Sequence, residues 1–297
     1  MATEINLSAA TRTNLLSLQT TTGLIGRTQE RLATGLKVNS ALDDALAFFK
    51  ARNLNSRASD LSSIKDAISG GISVLKAAVQ GLESIESVLK QMKALASSAI
   101  SSPESSTRAK LASQFNELRS QVDNLAEDAS FNGVNLLKNS IGPFTPGADY
   151  LTIKFNERTE AKAVNQLVVS GLRGTDFTTM LATSAQATGA AGISTVWGQT
   201  GVAAINAISA SMRALDSALV IVRQAAVGFG TRSALLEIRR SFTDNLVNTL
   251  KGGASDLVNA DLNEESANLL SLQTRQQLGT ISLQIAQKSE EAILRLF

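Results

Sequence analysis

The sequence predicts a mainly α-helical protein in which a long antiparallel coiled-coil rod forms from the N- and C-terminal segments, with a small β-hairpin element in the middle. Three observations predict this class. Apolar residues repeat at steps of three and four over long stretches of the chain. Only three of the 297 residues are proline, and none lies before residue 100 or after residue 200. Aromatic residues make up 4% of the chain, so long unbroken helices must pack through small aliphatic side chains.

The N-terminal arm, residues 1–44, carries an imperfect helical seam. Two of its heptad positions are polar, and Gly23 and Gly26 lie inside the repeat. Glycine costs about 1 kcal/mol relative to alanine within a helix, so we expect this arm to be marginal alone and ordered by partners. The seam positions are Leu15, Leu18, Thr22, Ile25, Gln29, Leu32 and Leu36.

Residues 45–140 form the N-terminal rod segment and contain the clearest periodicity. A seam without polar members begins at residue 61 and ends at residue 99, and about 39 helical residues would be about 58 Å long. After the breaker at Ser101–Pro103, a shorter seam predicts a helix that folds back antiparallel. The first seam consists of Leu61, Ile64, Ile68, Gly71, Leu75, Ala78, Leu82, Ile85, Leu89, Met92, Ala96 and Ala99. The second consists of Leu111, Phe115, Leu118, Val122, Leu125 and Ala129.

Residues 141–199 form a short middle region of β structure and loop. Glycine and proline at 142, 143, 146 and 147 precede two β-prone runs, residues 150–155 and 166–172. These runs predict a small β element. The stretch from residue 175 to 200 is rich in Thr, Ala, Ser and Gly and is too weakly apolar for a core of its own.

Residues 200–255 form the C-terminal rod segment. Its seam shifts by one residue around Gly228 and Gly230, and we interpret the shift as a stutter within one long helix. Before the shift the seam comprises Ile205, Ile208, Met212, Leu215, Leu219, Val222, Ala226 and Phe229. After it the apolar positions are Leu235, Ile238, Phe242, Leu246 and Leu250.

The C-terminal arm, residues 256–297, repeats the character of the N-terminal arm. The apolar residues Ile293, Leu294, Leu296 and Phe297 near the chain end indicate burial in an assembly, because exposed chain ends are usually polar. The seam of this arm consists of Leu269, Leu272, Gln276, Gly279, Leu283, Ala286, Glu290 and Ile293.

The composition argues against catalysis and against several classes of partner. The chain has no cysteine and no histidine, which excludes thiolate nucleophiles, histidine acid–base chemistry and ordinary zinc sites. We expect no catalytic, cofactor or metal site. Twenty-eight basic and 26 acidic residues leave no field that would attract nucleic acid, and we expect no membrane insertion. Carboxylates near Asp261 are interpreted as helix-capping groups.

Three motifs resemble bacterial flagellin. They are RLATGLKVNSALDDA at residues 31–45, FNGVNLL at 131–137, and DLVNADLNEESANLLSLQTRQQLGTISLQI at 256–285. Their order matches the family, whose terminal helices pack together and carry polymerisation. One departure is ALAFFKAR at residues 45–52, where flagellins often have a smaller and less aromatic sequence.

The resemblance implies a self-assembling subunit of the flagellar filament with little or no outer domain. It implies an open helical homopolymer, secretion without a cleaved signal peptide, and contacts with an export chaperone, hook-associated proteins and cap proteins. The expected inner-arm assembly residues are Leu15, Leu18, Ile25, Leu32, Leu269, Leu272, Leu283, Ile285, Ile293, Leu296 and Phe297. The expected rod core is Leu61, Ile64, Ile68, Leu75, Leu82, Ile85, Leu89, Met92, Phe115, Leu118, Val122, Leu215, Leu219 and Val222. A hook-filament junction protein and a soluble coiled-coil adaptor are the alternatives.

Overall fold

The computed structural model describes residues 9–137, 150–157, 165–172 and 196–294. In this part of the chain the helices are α1 (Ala9–Thr34), α2 (Ala45–Ser101), α3 (Ser105–Asp128), α4 (Val202–Val258) and α5 (Leu262–Leu294). The strands are β1 (Ser130–Phe131), β2 (Val134–Asn135), β3 (Tyr150–Lys154) and β4 (Gln166–Ser170). The mainly helical class with a small antiparallel β element is confirmed.

Contacts divide the chain into two compact units. The arm unit comprises residues 1–58 and 248–297, and the bundle unit comprises residues 59–247. The long helices α2 and α4 each contribute residues to both units. The boundaries between arm and rod predicted from the sequence, 44/45 and 255/256, do not coincide with these divisions at 58/59 and 247/248. They stay predictions.

The bundle unit is built on an aliphatic core shared by α2, α3 and α4. Leu75, Leu89 and Leu215 have no measurable exposure, and Phe115 of α3 packs against Trp197 with ring centroids 5.1 Å apart. Among the expected rod-core residues, Ile64 and Leu118 are half-buried. The others are buried: Leu61, Ile68, Leu75, Leu82, Ile85, Leu89, Met92, Phe115, Val122, Leu215, Leu219 and Val222.

Ion pairs record the antiparallel register of α2 and α4 in the bundle unit. Lys65 pairs with Asp244 at 2.9 Å, and Glu86 accepts a hydrogen bond from Arg223 at 3.0 Å. Residue numbers rise along α2 as they fall along α4, which defines the antiparallel direction. Hydrogen bonds from Lys90 and Arg223 lower the pKa of the Glu86 carboxyl. These pairs are partly exposed, so solvent screens them and their contribution to stability is small.

Helix α4 is continuous, as predicted, but the predicted stutter is wrong. The buried positions continue without a shift from Phe229 through Leu236 to Thr243. The Thr243 hydroxyl donates to the Arg239 carbonyl oxygen at 2.9 Å, so a buried threonine can hold a core position that an apolarity pattern passes over. Of the predicted stripe, Leu235, Ile238 and Phe242 are instead exposed, whereas Leu246 and Leu250 are half-buried.

The FNG motif forms a tight hairpin between β1 and β2. Asn132 and Gly133 both have positive φ, 51° and 78°, which is the geometry of a two-residue turn favoured by Asn-Gly. Behind the turn, the buried Asn135 side chain donates to the carbonyl oxygens of Ala126 and Glu127, both at 2.9 Å. The motif therefore closes the C-terminal end of α3 and reverses the chain.

Strands β3 and β4 form the second antiparallel hairpin, with Leu151 opposite Val169 and Ile153 opposite Leu167. Ile153 and Val169 are buried in the core of the bundle unit. The Ile153 side chain lies against Gly71 of α2, where a Cβ atom would overlap its terminal methyl group. Gly71 therefore leaves the space in which the hairpin packs on the helix.

The expected lack of membrane insertion stays a prediction. Within the described residues, α4 is long and apolar enough to cross a membrane by length and composition alone. A core helix of a soluble protein passes the same test, and the positions Ile208, Leu215 and Val222 of α4 are buried in the bundle core.

Adjacent glycines of α2 provide a matched test of this packing. Gly70→Ala, with open space around it, should raise the free energy of unfolding by about 0.5–1 kcal/mol through helix propensity. Gly71→Ala should lower it, because displacing Ile153 costs about 1–3 kcal/mol. Urea unfolding followed by circular dichroism measures both, and equal stabilisation by the two variants would contradict the proposed packing.

Candidate assembly surface

The arm unit pairs α1 and α5 in antiparallel orientation. Leu18 lies against Gly279, the Gln276 amide donates to Thr22 Oγ1 at 3.3 Å, and Arg31 pairs with Glu265. Along the pair the residue numbers of α1 rise as those of α5 fall. The two chain segments at opposite ends of the sequence are thus brought together.

The face of α5 that meets α1 matches its predicted seam. Its half-buried positions include Leu269, Leu272, Gln276, Gly279, Leu283 and Ala286. The corresponding face of α1 is Thr11, Leu18, Thr21, Ile25, Thr28 and Leu32. The predicted α1 seam therefore shares Leu18, Ile25 and Leu32 with this face but departs from it at Leu15, Thr22 and Gln29, which are exposed. A search for apolar periodicity passes over the buried threonines because their side chains are polar.

A short strand-like crossing connects the segment after α1 with the segment before α5. Gly35 adopts φ +70°, which ends α1 and turns the chain. The Lys37 amide then donates to the Val258 carbonyl oxygen at 2.7 Å, and the Ala260 amide donates to the Gly35 carbonyl oxygen at 2.9 Å. These hydrogen bonds fix the register in which the two arms begin to pair.

The ion pair of Arg31 and Glu265 lies beside this crossing. Arg31 Nη1 donates to Glu265 Oε1 at 2.9 Å, and Glu265 is 8% exposed. From the sequence, Glu265 is expected only to cap and charge the start of the terminal helix. The separation of 234 residues gives no local signal for the pair.

Capping residues set the starts of α2 and α5. Asp44 Oδ1 accepts from the Ala47 amide at 3.0 Å, and Asp261 Oδ1 accepts from the Asn263 amide at 2.8 Å. Asp43 closes the preceding turn by accepting from the Ser40 and Asn39 amides, and the bond from Ser40 lowers the pKa of its carboxyl. The N-cap of α2 is therefore Asp44, and the motif residues act through local geometry.

Several large apolar side chains of the arm unit are left exposed. On α5 they form a second stripe, separate from the face that meets α1. We name it the arm stripe: Leu270, Leu278, Ile281 and Ile285. On α1 the exposed residues are Leu15, Leu16 and Leu24, and near the start of α2 they are Leu42, Leu46 and Phe49. The side chains of Ile293, Leu296 and Phe297 lie outside the described residues.

The described residues contain no group of three or more His, Cys, Asp or Glu that could hold a metal ion. Buried side-chain nitrogen and oxygen atoms in this part of the chain all have hydrogen-bond partners.

Glycines of the arms provide a second matched test. A Cβ atom at Gly279 would lie 2.7 Å from Leu18 Cδ2, whereas one at Gly26 would meet nothing within 4 Å. Gly279→Ala should loosen the pairing of the arms and speed their proteolysis, while Gly26→Ala should slow it through helix propensity. Limited proteolysis with mass spectrometry measures both rates. Slower cleavage in both variants would show that Leu18 does not need the space at Gly279.

Comparison with known proteins agrees with this architecture. The family model of the bacterial flagellin N-terminal helical region matches residues 5–141. The family model of the bacterial flagellin C-terminal helical region matches residues 212–297. Flagellin FljO of Caulobacter vibrioides is 32% identical over 296 residues, covering 99% of this chain and 98% of its own length. Flagellin C of Rhizobium meliloti is 28% identical over 320 residues, covering 99% of both chains.

A solved structure supports the fold alone. A protein described as a putative flagellar hook-associated protein from Vibrio parahaemolyticus matches with a TM-score of 0.56 and 16% identity, covering 73% of this chain and all of that chain. The similarity to full-length flagellins is closer in sequence and spans the middle region as well as the ends. The chain belongs to the bacterial flagellin family and is a structural subunit of the extracellular flagellar filament.

Proposed function

We propose that the paired arms, α1 with α5, are the element through which copies of this chain polymerise into an open helical homopolymer. The observation that supports the proposal is the arm stripe. Leu270 is 68% exposed, Leu278 60% and Ile285 61%, although all three lie on a helix that already packs against another along a different face. A two-helix pair can cover only one stripe of each helix, so a second apolar stripe needs a further partner.

Hydrophobic burial supplies the driving force. Full burial of a leucine or isoleucine side chain contributes about 1.5–3 kcal/mol, and a polymer repeats that contribution in every subunit. The arm stripe on one copy must meet a different surface on the next, because self-complementary contacts close into dimers and heterologous contacts can propagate. The resulting assembly is open-ended, as a filament requires.

The arms are suited to ordering during assembly rather than before it. Their shared face includes Thr11, Thr21 and Thr28 as well as Gln276, so it buries less apolar area than the core of the bundle unit. Helices in proteins take most of their stability from the packing of an apolar face rather than from helix propensity. Contact with neighbouring copies then supplies the stability that the pair lacks.

Export without a cleaved signal peptide belongs to the same proposal. Arms that are only marginally stable can pass through a narrow channel unfolded and then pair at the growing end. An export chaperone, cap proteins and hook-associated proteins are the proposed further partners. The exported subunit should have the mass of the intact chain, 31.2 kDa, and a shorter exported form would contradict uncleaved export.

Catalysis is not part of the proposed role. The chain has neither histidine nor cysteine, and its largest functional surfaces are apolar helix faces. The hook-filament junction alternative predicts a minor component of sheared surface filaments. A subunit of the filament proper should instead dominate them.

Charge insertion separates assembly from folding. Leu278→Asp on the arm stripe, and Leu283→Asp on the face toward α1, should abolish polymerisation and leave the melting of the bundle unit nearly unchanged. Leu82→Asp, at a position 1% exposed, should unfold the bundle unit itself, because an unpaired buried charge costs several kcal/mol. Gln277→Asp, at an exposed polar neighbour, is the matched control and should polymerise.

Circular dichroism melting and sedimentation of filaments measure the two properties separately. If the Leu278→Asp and Leu283→Asp variants polymerised normally, the proposal that copies polymerise through the arms would be contradicted.

A further inference from the structure

Helix α4 carries a long uncharged surface on the side away from the bundle core. Val220, Val227 and Ile238 each lie nine residues from a buried position, at Phe229, Leu236 and Val247 respectively. Nine residues are about two and a half helical turns, so the two sets occupy opposite sides of α4. We name the exposed set the outer stripe: Val220, Gln224, Val227, Thr231, Ala234, Leu235, Ile238, Phe242 and Asn245.

The outer stripe has the properties of an interface and not of an ordinary solvated helix face. It contains no charged residue over 26 positions, about 38 Å of helix. Val227 is 70% exposed, Ile238 68% and Phe242 58%. Gln224, Thr231 and Asn245 interrupt the stripe, and its apolar members cluster at Ala234, Leu235, Ile238 and Phe242. Clustered exposed apolar side chains of this size mark interaction sites.

A second exposed apolar cluster lies at the start of α2. Leu42 is 98% exposed, Leu46 66% and Phe49 58%. The turn that presents Leu42 is fixed by the hydrogen bonds of Asp43 and by the cap at Asp44. We name Leu42, Leu46 and Phe49 the α2 knob. Two of its residues lie in the segment ALAFFKAR, whose bulk is not explained by packing within the arm unit.

We infer that the α2 knob of one copy packs on the outer stripe of the next copy, around Leu235, Ile238 and Phe242. This inference rests on the proposed polymerisation and assigns one of its contacts. If the outer stripe paired with itself, the contact would form a symmetric dimer and polymerisation would stop. A contact between the α2 knob and the outer stripe joins two different surfaces, so each added copy can bind the next one. The arm stripe on α5 is already assigned to contacts among the arms.

Charge and shape agree with this pairing. Asp43 and Asp44 lie between Leu42 and Leu46 of the knob, Lys50 and Arg52 follow Phe49, and residues 232–240 of α4 carry three arginines and one glutamate. Opposite charges at the edges of an apolar contact favour one register and orientation. Ala234 of the outer stripe also lines an open groove of about 420 Å³ between α2 and α4, together with Gly230, Val79 and the polar side chains Lys76, Gln80, Glu83, Ser233 and Glu237.

Cross-linking in the polymer tests the inference. Because the chain has no native cysteine, only the introduced thiols can react. Phe49→Cys and Ile238→Cys, both at exposed positions, are prepared as separate variants and copolymerised with an excess of the parent chain. A short bis-maleimide should give a covalent dimer only when both variants are present, because packing raises the effective thiol concentration to about the millimolar range. Gln114→Cys on the exposed face of α3 replaces Ile238→Cys in the control and should give no dimer.

Formed filaments without the mixed dimer, or dimers from Ile238→Cys alone, would overturn the contact while leaving polymerisation through the arms intact. Failure of the parent chain to polymerise at all would overturn the proposed function and this contact together. As an independent readout, Phe242→Asp should raise the critical concentration for polymerisation about tenfold or more, equivalent to about 1.4 kcal/mol. Gln114→Asp should leave it unchanged, and an unchanged value for Phe242→Asp would also overturn the inference.

Discussion

The aliphatic packing of α2 against α3 and α4 is the interaction on which the rest of the bundle unit depends. Leu75, Leu89 and Leu215 are fully buried in it, together with the aromatic residues Phe115, Trp197 and Phe229. Glycines of α2 then leave space for the two hairpins to pack against this helix. Gly71 admits the side chain of Ile153, and Gly81 lies where a Cβ atom would meet Ala129 and Leu137. Both hairpins therefore take their places from the surface of α2.

The arm unit leaves apolar surface uncovered, as α4 of the bundle unit also does at the outer stripe. The bundle core is complete without another molecule, whereas α1 and α5 bury threonines, glutamine and glycine between them and expose leucine and isoleucine outside. A folded unit joined to an incomplete one is consistent with a subunit that is stable alone yet polymerises. Assembly then uses the surfaces that folding does not satisfy.

Periodicity in the sequence was sufficient to predict the helices, because apolar residues at every third or fourth position form one continuous face on a helix and none on a strand. The same criterion failed where polar residues hold core positions. Thr243 keeps the register of α4 by bonding its own backbone, and the buried threonines of α1 occupy the face on which Leu15 was expected. Contacts between residues far apart in the sequence, such as Arg31 with Glu265 and Arg108 with the carbonyl oxygens of Trp197 and Gln199, have no periodic signal.

Amide hydrogen exchange of the monomer and of the filament tests most directly whether the arms depend on assembly for their stability. In the monomer, amides of α1 and α5 should exchange much faster than those between residues 68 and 96 of α2, because local stability follows the apolar burial available to each unit. In the filament, the arms should become as protected as the bundle unit. Equal protection of the arms in monomer and filament would contradict the account.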